Sequence, residues 1–352
     1  MKIGIIAEYL NPLNTKEYQF TDEATPYLEF FKSKGVNSYV IDCRRNQNSN
    51  HLIALDYKSK KEINVPFDEI DLFYFGVFGK EIESKNIAYG LSEQTEEFFN
   101  LIDYLRKNFP NSKFMNPVET IIQNASKEYL IHLSKLGVPV IPTSNIETLD
   151  QLIQLNNDKE IYIAKPLISE RAKGILILDG KLSLKELEQY YLSYNHSTFE
   201  KHASTYQKII NSQRIIVQKF EYDFLKYGEK KIAIVDKEIT LSRNNSMPPS
   251  EKVQIVDYYN GAILEKYDIS IKEREIIEKI ISVVNQEYPF YYMRLDLIGK
   301  DENLKVNEIE LINPSFNIFS IPGHDFAKSV FSLEEQTKHI EKVYNSIVKK
   351  CQ

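Results

Sequence analysis

VNEIELINPSF, residues 306–316, sets two glutamates two positions apart in an otherwise apolar run that ends at a proline. Side chains alternate across a strand, so Glu308 and Glu310 share a face with Val306 and Ile312, while Ile309 and Leu311 lie opposite. Just upstream, YYMRLDLIG (291–299) puts Arg294 and Asp296 on one face and Met293, Leu295 and Leu297 on the other. The loop around KDEN is short enough for an antiparallel hairpin. Opposed residues in such a pair have numbers of constant sum. Setting Gly299 against Lys305 leaves five loop residues and sets Asp296 against Glu308. Three carboxylates and an arginine then crowd one face, where like charges in opposition are destabilising and push at least one pKa upward. A bound divalent cation removes the conflict. Oxygen-only ligation points to Mg²⁺, with Mn²⁺ as a substitute, held by Asp296, Glu308 and Glu310. A solvated acidic face is the alternative, and the second acidic strand weighs against it.

A metal–phosphate complex on those acids needs cations elsewhere in the fold. Lys165 sits on the Ile161, Ile163 face of the strand IYIAKPLI, although a lysine ending a strand often only reaches for water. SERAKG offers Ser169, Arg171, Lys173 and Gly174, but one glycine is not a phosphate loop. KKIAIVDKEITLSR reads as a hairpin turning near Asp236 and Lys237. A two-residue turn opposes Lys230 to Arg243 and turns Lys231 to the reverse face; a longer turn changes that, so the sequence leaves open which lysine faces inward.

Farther out, KIGIIAEYL, VNSYVIDC and DLFYFGVFG read as strands, with helices over 21–34 and 93–107 between and after them, an alternation that predicts a parallel α/β layer. NPVETIIQ carries a helix start: Asn116 as N-cap, Pro117 first in the helix and Glu119 three after the cap. SKEYLIHLSKLG is a short helix closed by Gly137, and RIIVQKF is a further strand. Ser270 with Glu273 and Ser332 with Glu335 are capping boxes for two more helices, the last with Ile340, Val343, Tyr344 and Ile347 as its apolar stripe. The expected division is 1–115, an N-terminal α/β domain; 116–213, a small central subdomain; and 214–352, the C-terminal catalytic subdomain.

With 44 Lys+Arg against 50 Asp+Glu, the chain has no global attraction for nucleic acid or an anionic membrane. Its two cysteines form no disulfide framework, and no segment approaches the roughly 18 apolar residues of a membrane span. A cytoplasmic protein is expected.

Together NPVETIIQNASKEYLIHLSKLGVPVIPT, YIAKPLISERAKGI, IIVQKF, GEKKIAIVDKEI, YYMRLDLIG and VNEIELINP resemble the ATP-grasp superfamily, most closely its glutathione-synthetase-like carboxylate–amine ligases. The resemblance covers roughly 116–320 and implies an ATP-grasp fold, α/β with α+β character in the C-terminal part, behind an N-terminal pre-ATP-grasp layer. It implies ATP and Mg²⁺ as cofactors. Lys127 and Lys165 would reach ATP phosphates, and Ser169 to Gly174, with Lys173, would form a small phosphate lid. Gln218, Lys219 and Phe220 would meet adenine through their backbone, with Glu221 at the ribose. Lys231, Arg243 and Arg294 would act at the transferring phosphate, and Asp296, Glu308 and Glu310 would be the magnesium ligands. Two features depart from the family: the lid is poor in glycine, and Asn313 stands where some relatives carry another acid.

The activity implied is ligation of a carboxylate to an amine through an acyl phosphate, with small-molecule or peptide substrates and a homodimer compatible with the reading. A catalytically silent ATP-binding protein and a metal-dependent phosphoesterase on the same carboxylates are the alternatives. His324 is either a substrate contact or a plain loop residue.

Overall fold

The computed structural model describes residues 1–6, 9–10, 19–20, 25–41, 51–75, 93–108, 113–169, 174–195, 204–211, 214–248, 262–312, 314, 316 and 329–352. β1 (Lys2–Ile6) is followed by a ribbon of β2 (Tyr9–Leu10) and β3 (Gln19–Phe20). Then come α1 (Thr25–Ser33), β4 (Asn37–Ile41), β5 (His51–Asp56), β6 (Lys61–Pro66), β7 (Leu72–Phe75) and α2 (Glu93–Asn108). The first sheet runs β6-β5-β4-β1-β7. β1 is parallel to β4 and β7, and Ile3, Gly4 and Ile5 are buried in succession, so the strand is covered on both faces. The β5–β6 hairpin extends this parallel core with two antiparallel strands, which the strand–helix alternation does not anticipate.

Next are α3 (Val118–Asn124), α4 (Glu128–Lys135), β8 (Thr143–Ile146), α5 (Leu149–Asn156), β9 (Tyr162–Pro166), β10 (Leu176–Leu178), α6 (Leu184–Tyr194), α7 (Thr205–Asn211) and β11 (Ile215–Lys219). The second sheet is four-stranded and antiparallel, in the order β10-β9-β11-β8. Helices α5 and α6 each open with a capping box and cover one of its faces through Leu152 and Leu187.

The chain ends with α8 (Asp223–Tyr227), β12 (Glu229–Val235), β13 (Glu238–Ser246), β14 (Ile263–Lys266), α9 (Ile271–Glu287), β15 (Tyr292–Ile298), β16 (Lys305–Glu310) and α10 (Leu333–Cys351). The third sheet runs β14-β13-β12-β15-β16, all antiparallel. Asp236 and Lys237 turn the β12–β13 hairpin with φ of 49° and 67°, the two left-handed residues of a tight hairpin turn. One face packs Ile232, Ile234, Met293 and Leu295 against Ile277, Ile281 and Val284 of α9. Part of the other packs Ala233 and Val235 against Ile340, Val343 and Ile347 of α10 and Ile3 and Ile5 of β1. Both expected capping boxes, Ser270/Glu273 and Ser332/Glu335, are formed. No helix among the described residues is long and apolar enough to cross a membrane.

β16 is an edge strand whose outward groups are met by side chains and a turn. Ile309 N–H donates to the Tyr129 hydroxyl, Asn124 bonds Ile309 O and Leu311 N–H, and Asn116 donates to Leu311 O. Val306 exchanges bonds with Pro139 O and Ile141 N–H. Asn116 is therefore no helix cap: Pro117 precedes α3 as its cap residue, and the buried Asn116 amide straps Tyr291, Tyr292 and Leu311 together. The side chains suited to capping also suit a buried strap, and burial decided between them.

Candidate active site

In the β15–β16 ladder Asp296 faces Glu308 and Arg294 faces Glu310, the register predicted at the acidic end. The loop end differs. Ile298, not Gly299, faces Lys305, because β16 carries one extra residue between Val306 and Glu308. This bulge puts Val306 in the apolar core with Ile309 and Leu311, correcting its expected place on the glutamate face. Arg294 lies against two of the ladder's three acids: its Nε is 2.8 Å from Asp296 Oδ1, and its Nη2 is 3.5 Å from Glu310 Oε1.

A second bulge settles the lysine question. The turn of β12–β13 is two residues long, yet Thr240 is skipped in the pairing, so Lys231 rather than Lys230 faces Arg243. Lys231 also faces Asp296 on β15, with Nζ 2.7 Å from Asp296 Oδ2 and 3.2 Å from Glu229 Oε2. Lys230 is buried on the other face, donating to the carbonyls of Tyr227 and Gly299 between the Tyr227 and Tyr267 rings, and burial there pulls its pKa down to about 8. Arg243 is buried and donates from Nη1 to Phe316 O at 2.6 Å.

The remaining cations come from outside the third sheet. Lys127, directly before α4, has its Nζ 3.1 Å from Glu308 Oε1 and donates to Ser169 O at 2.6 Å. Lys165 on β9 donates to Gln218 Oε1 of β11 at 2.6 Å and lies 3.4 Å from Asn307 Oδ1 of β16. Next to this contact Ile141, Ile161, Ile163, Phe220, Phe224, Met247 and Ile298 form an apolar cluster that joins the second and third sheets.

The other expected nucleotide residues take varied places. Lys219 points outward to Glu160 at 3.0 Å, and Phe220 N–H is committed to Ile161 O at 2.8 Å. Glu221 pairs with Lys305 at 2.7 Å. Gly174 has φ of 71°, and a Cβ there would sit 2.6 Å from Pro166, so glycine is required by both conformation and contact. Arg171, Lys173, Asn313 and His324 lie outside the described residues.

Burial works against the charge of Asp296, Glu308, Glu310 and Lys165, and its balance with their neighbours differs from one to the next. For Asp296, Arg294 and Lys231 overcome burial and hold the carboxyl down at about 2. For Glu308, Lys127 and Lys165 overcome burial and keep the pKa below the ordinary value. Glu310 is pushed up to about 7 by burial and by neighbouring Glu308, against the pull of Arg294. Lys165 is lowered, chiefly by burial, with Glu308 opposing and Lys127 assisting. Among the described residues no three acidic, His or Cys side chains stand as a ready metal shell, since each carboxylate of the set is turned toward a cation.

No family model matches the sequence, and no curated protein does. Solved structures do. D-cycloserine synthetase DcsG superimposes with a TM-score of 0.63 at 15% identity over 100% of both chains. The macrocyclase MdnC from Microcystis aeruginosa MRC, bound with precursor peptide MdnA, gives 0.60 at 13% identity over 99% of this chain and 100% of that one. D-alanine–D-alanine ligase from Bacillus anthracis, complexed with ATP, gives 0.51 at 13% identity over 100% of this chain and 97% of that one. The chain has the ATP-grasp fold. At these identities the likeness fixes the ATP-grasp architecture and leaves each side chain to its own geometry.

Among these charged groups two residues escaped the sequence reading. Glu229 joins Lys231 to Asn307, and its i, i+2 spacing from Lys231 on a strand was the available signal. Asn307 reaches Glu229 and Lys165 only through the bulge, for which the alternation of KVNEIE gives no sign.

Proposed function

We propose that the chain is an ATP- and Mg²⁺-dependent ligase joining a carboxylate to an amine. The observation that carries this reading is the gathering of Lys127, Lys165, Lys231 and Arg294 around Asp296, Glu308 and Glu310, where two sheets of an ATP-grasp fold meet. Such a set supplies positioning and charge stabilisation, which is most of what phosphoryl transfer asks of a protein.

In the proposed reaction a substrate carboxylate oxygen attacks the γ-phosphorus of ATP, the bond to the β–γ bridging oxygen breaks, and ADP leaves with the electron pair. The acyl phosphate is then opened by an amine, which loses a proton as phosphate departs and the amide forms. Lys127 and Lys165 would hold the nucleotide phosphates, with Ser169, Lys173 and Gly174 closing over them. Lys231, Arg243 and Arg294 would neutralise the transferring group. The base would lie on the apolar cluster against Gln218, Lys219 and Phe220, with Glu221 near the ribose.

The donor set fits Mg²⁺. Asp296, Glu308 and Glu310 offer only carboxylate oxygens, the donors this ion takes, and they stand on facing strands of one ladder. These three would hold the ion, which when bound supplies charge neutralisation at phosphate oxygens.

Mg and ADP are present in a structure of the fold neighbour PsnB complexed with a variant of its minimal precursor. The neighbours include a D-cycloserine synthetase and a macrocyclase bound to a peptide, so small acids and peptides both belong in the substrate screen. ADP release is measured with amino acids, dipeptides and small acids as paired substrates, followed by product mass. Substrate-dependent ADP with a new amide mass is expected; no ADP with any pair, together with no calorimetric ATP binding, would sink the reading.

A further inference from the structure

The β16 bulge delivers an amide to a place where the second and third sheets exchange polar contacts beside the cations. Asn307 Nδ2 donates to Glu229 Oε1 at 2.7 Å, and Asn307 Oδ1 lies 3.4 Å from Lys165 Nζ. The line of contacts continues on both sides. Lys165 goes on to Gln218 at 2.6 Å, and Glu229 goes on to Lys231 at 3.2 Å and so to Asp296.

We propose that Asn307 is a positioning residue for the nucleotide-phosphate lysines, keeping Lys165 and Glu229 from closing on one another. This rests on the reading that Lys165 and Lys231 meet phosphate. The amide is polarised the right way for the task, with oxygen toward the ammonium and N–H toward the carboxylate. Glu229 is close enough to Lys165 to favour its charged form, so the two attract across the space that Asn307 fills. A direct Lys165–Glu229 pair would remove one positive charge from the phosphate side. It would also draw Glu229 off Lys231, disturbing a second cation. An aspartate at 307 would repel Glu229, and a leucine would leave both charges to find each other.

The mechanism makes a prediction that ordinary destabilisation does not. Asn307→Leu is expected to bind ATP about tenfold more weakly by calorimetry in the presence of Mg²⁺. Adding Glu229→Gln to that variant removes the competing carboxylate, and most of the lost affinity returns. Asn307→Ser, which keeps a small polar residue in the bulge, guards against a leucine that fails to fold; it too binds ATP more weakly and regains affinity with Glu229→Gln. Thermal melts and circular dichroism establish that each variant is folded. Folded variants that bind ATP as the wild type does, or whose loss is unchanged or deepened by Glu229→Gln, overturn the proposal. Failure of the wild type itself to bind ATP is a separate result, and it removes the nucleotide reading on which the proposal rests.

Discussion

Lys127 Nζ lies 3.1 Å from Glu308 Oε1, so a cation from the start of α4 and a carboxylate from β16 neutralise one another. In the proposed reaction each has another partner, phosphate for the lysine and Mg²⁺ for the glutamate. Removing the cation frees the acid. Lys127→Met is therefore expected to weaken ATP binding about tenfold while tightening binding of Mn²⁺ alone by about threefold, read by paramagnetic resonance without nucleotide. Unchanged or weaker Mn²⁺ binding would show that the pair does not hold the carboxylate in reserve.

Glu308→Gln keeps the size of the side chain and removes its charge. Turnover should fall by about a hundredfold or more at ordinary Mg²⁺. The fold should survive, because Glu308 is part-exposed and its ion-pair partner Lys127 retains a bond to Ser169 O. Steady-state ADP release and a thermal melt check both halves; full activity at low Mg²⁺ would remove Glu308 from the metal set.

Asn116 meets four backbone groups of Tyr291, Tyr292 and Leu311 with one buried amide. Asn116→Ala strands those groups away from water, where each costs about 1–3 kcal/mol, so a loss of at least about 3 kcal/mol in urea unfolding is expected. A loss below about 1 kcal/mol, the size of an ordinary cap, would restore the capping interpretation.

His339 predicts a pH dependence of stability. It is buried among Tyr27, Tyr292 and Thr240, and burial pulls its pKa down from 6.5 to about 3. Thr240 donates to Ala233 O, so it accepts from Nδ1–H of the neutral ring, leaving Nε2 to accept from Tyr27. The unfolded chain binds this proton and the folded one does not. The contribution is thus complete above about pH 6.5 and declines below it by up to about 1.4 kcal/mol per pH unit, until the folded pKa is reached. Urea midpoints at pH 7.5 and 5 should differ less in His339→Leu than in the wild type; equal differences would count against the assignment.

The charge clustering was legible because strand alternation and constant-sum pairing are rigid rules over short distances, and Asp296 against Glu308 followed from them. What the register left open or misplaced lies at bulges. The skipped Thr240 decides between Lys230 and Lys231, which the sequence left open, and the extra Asn307 turned Val306 inward. A bulge is one residue long and carries no compositional mark here, so only the packing of the apolar face against α9 reveals it. The strap at Asn116 was misread because its partners lie about 175 residues downstream, beyond any local pattern. The β5–β6 hairpin fell outside a reading built on strands alternating with helices.

The sealed outer ladder of β16 also governs assembly. With the outward groups of Val306, Ile309 and Leu311 already bonded to the chain's own residues, that border offers no template to a stranger's strand. Fibril-like growth from the acidic border is blocked, and the chain can keep two glutamates beside a sheet margin without that margin becoming sticky.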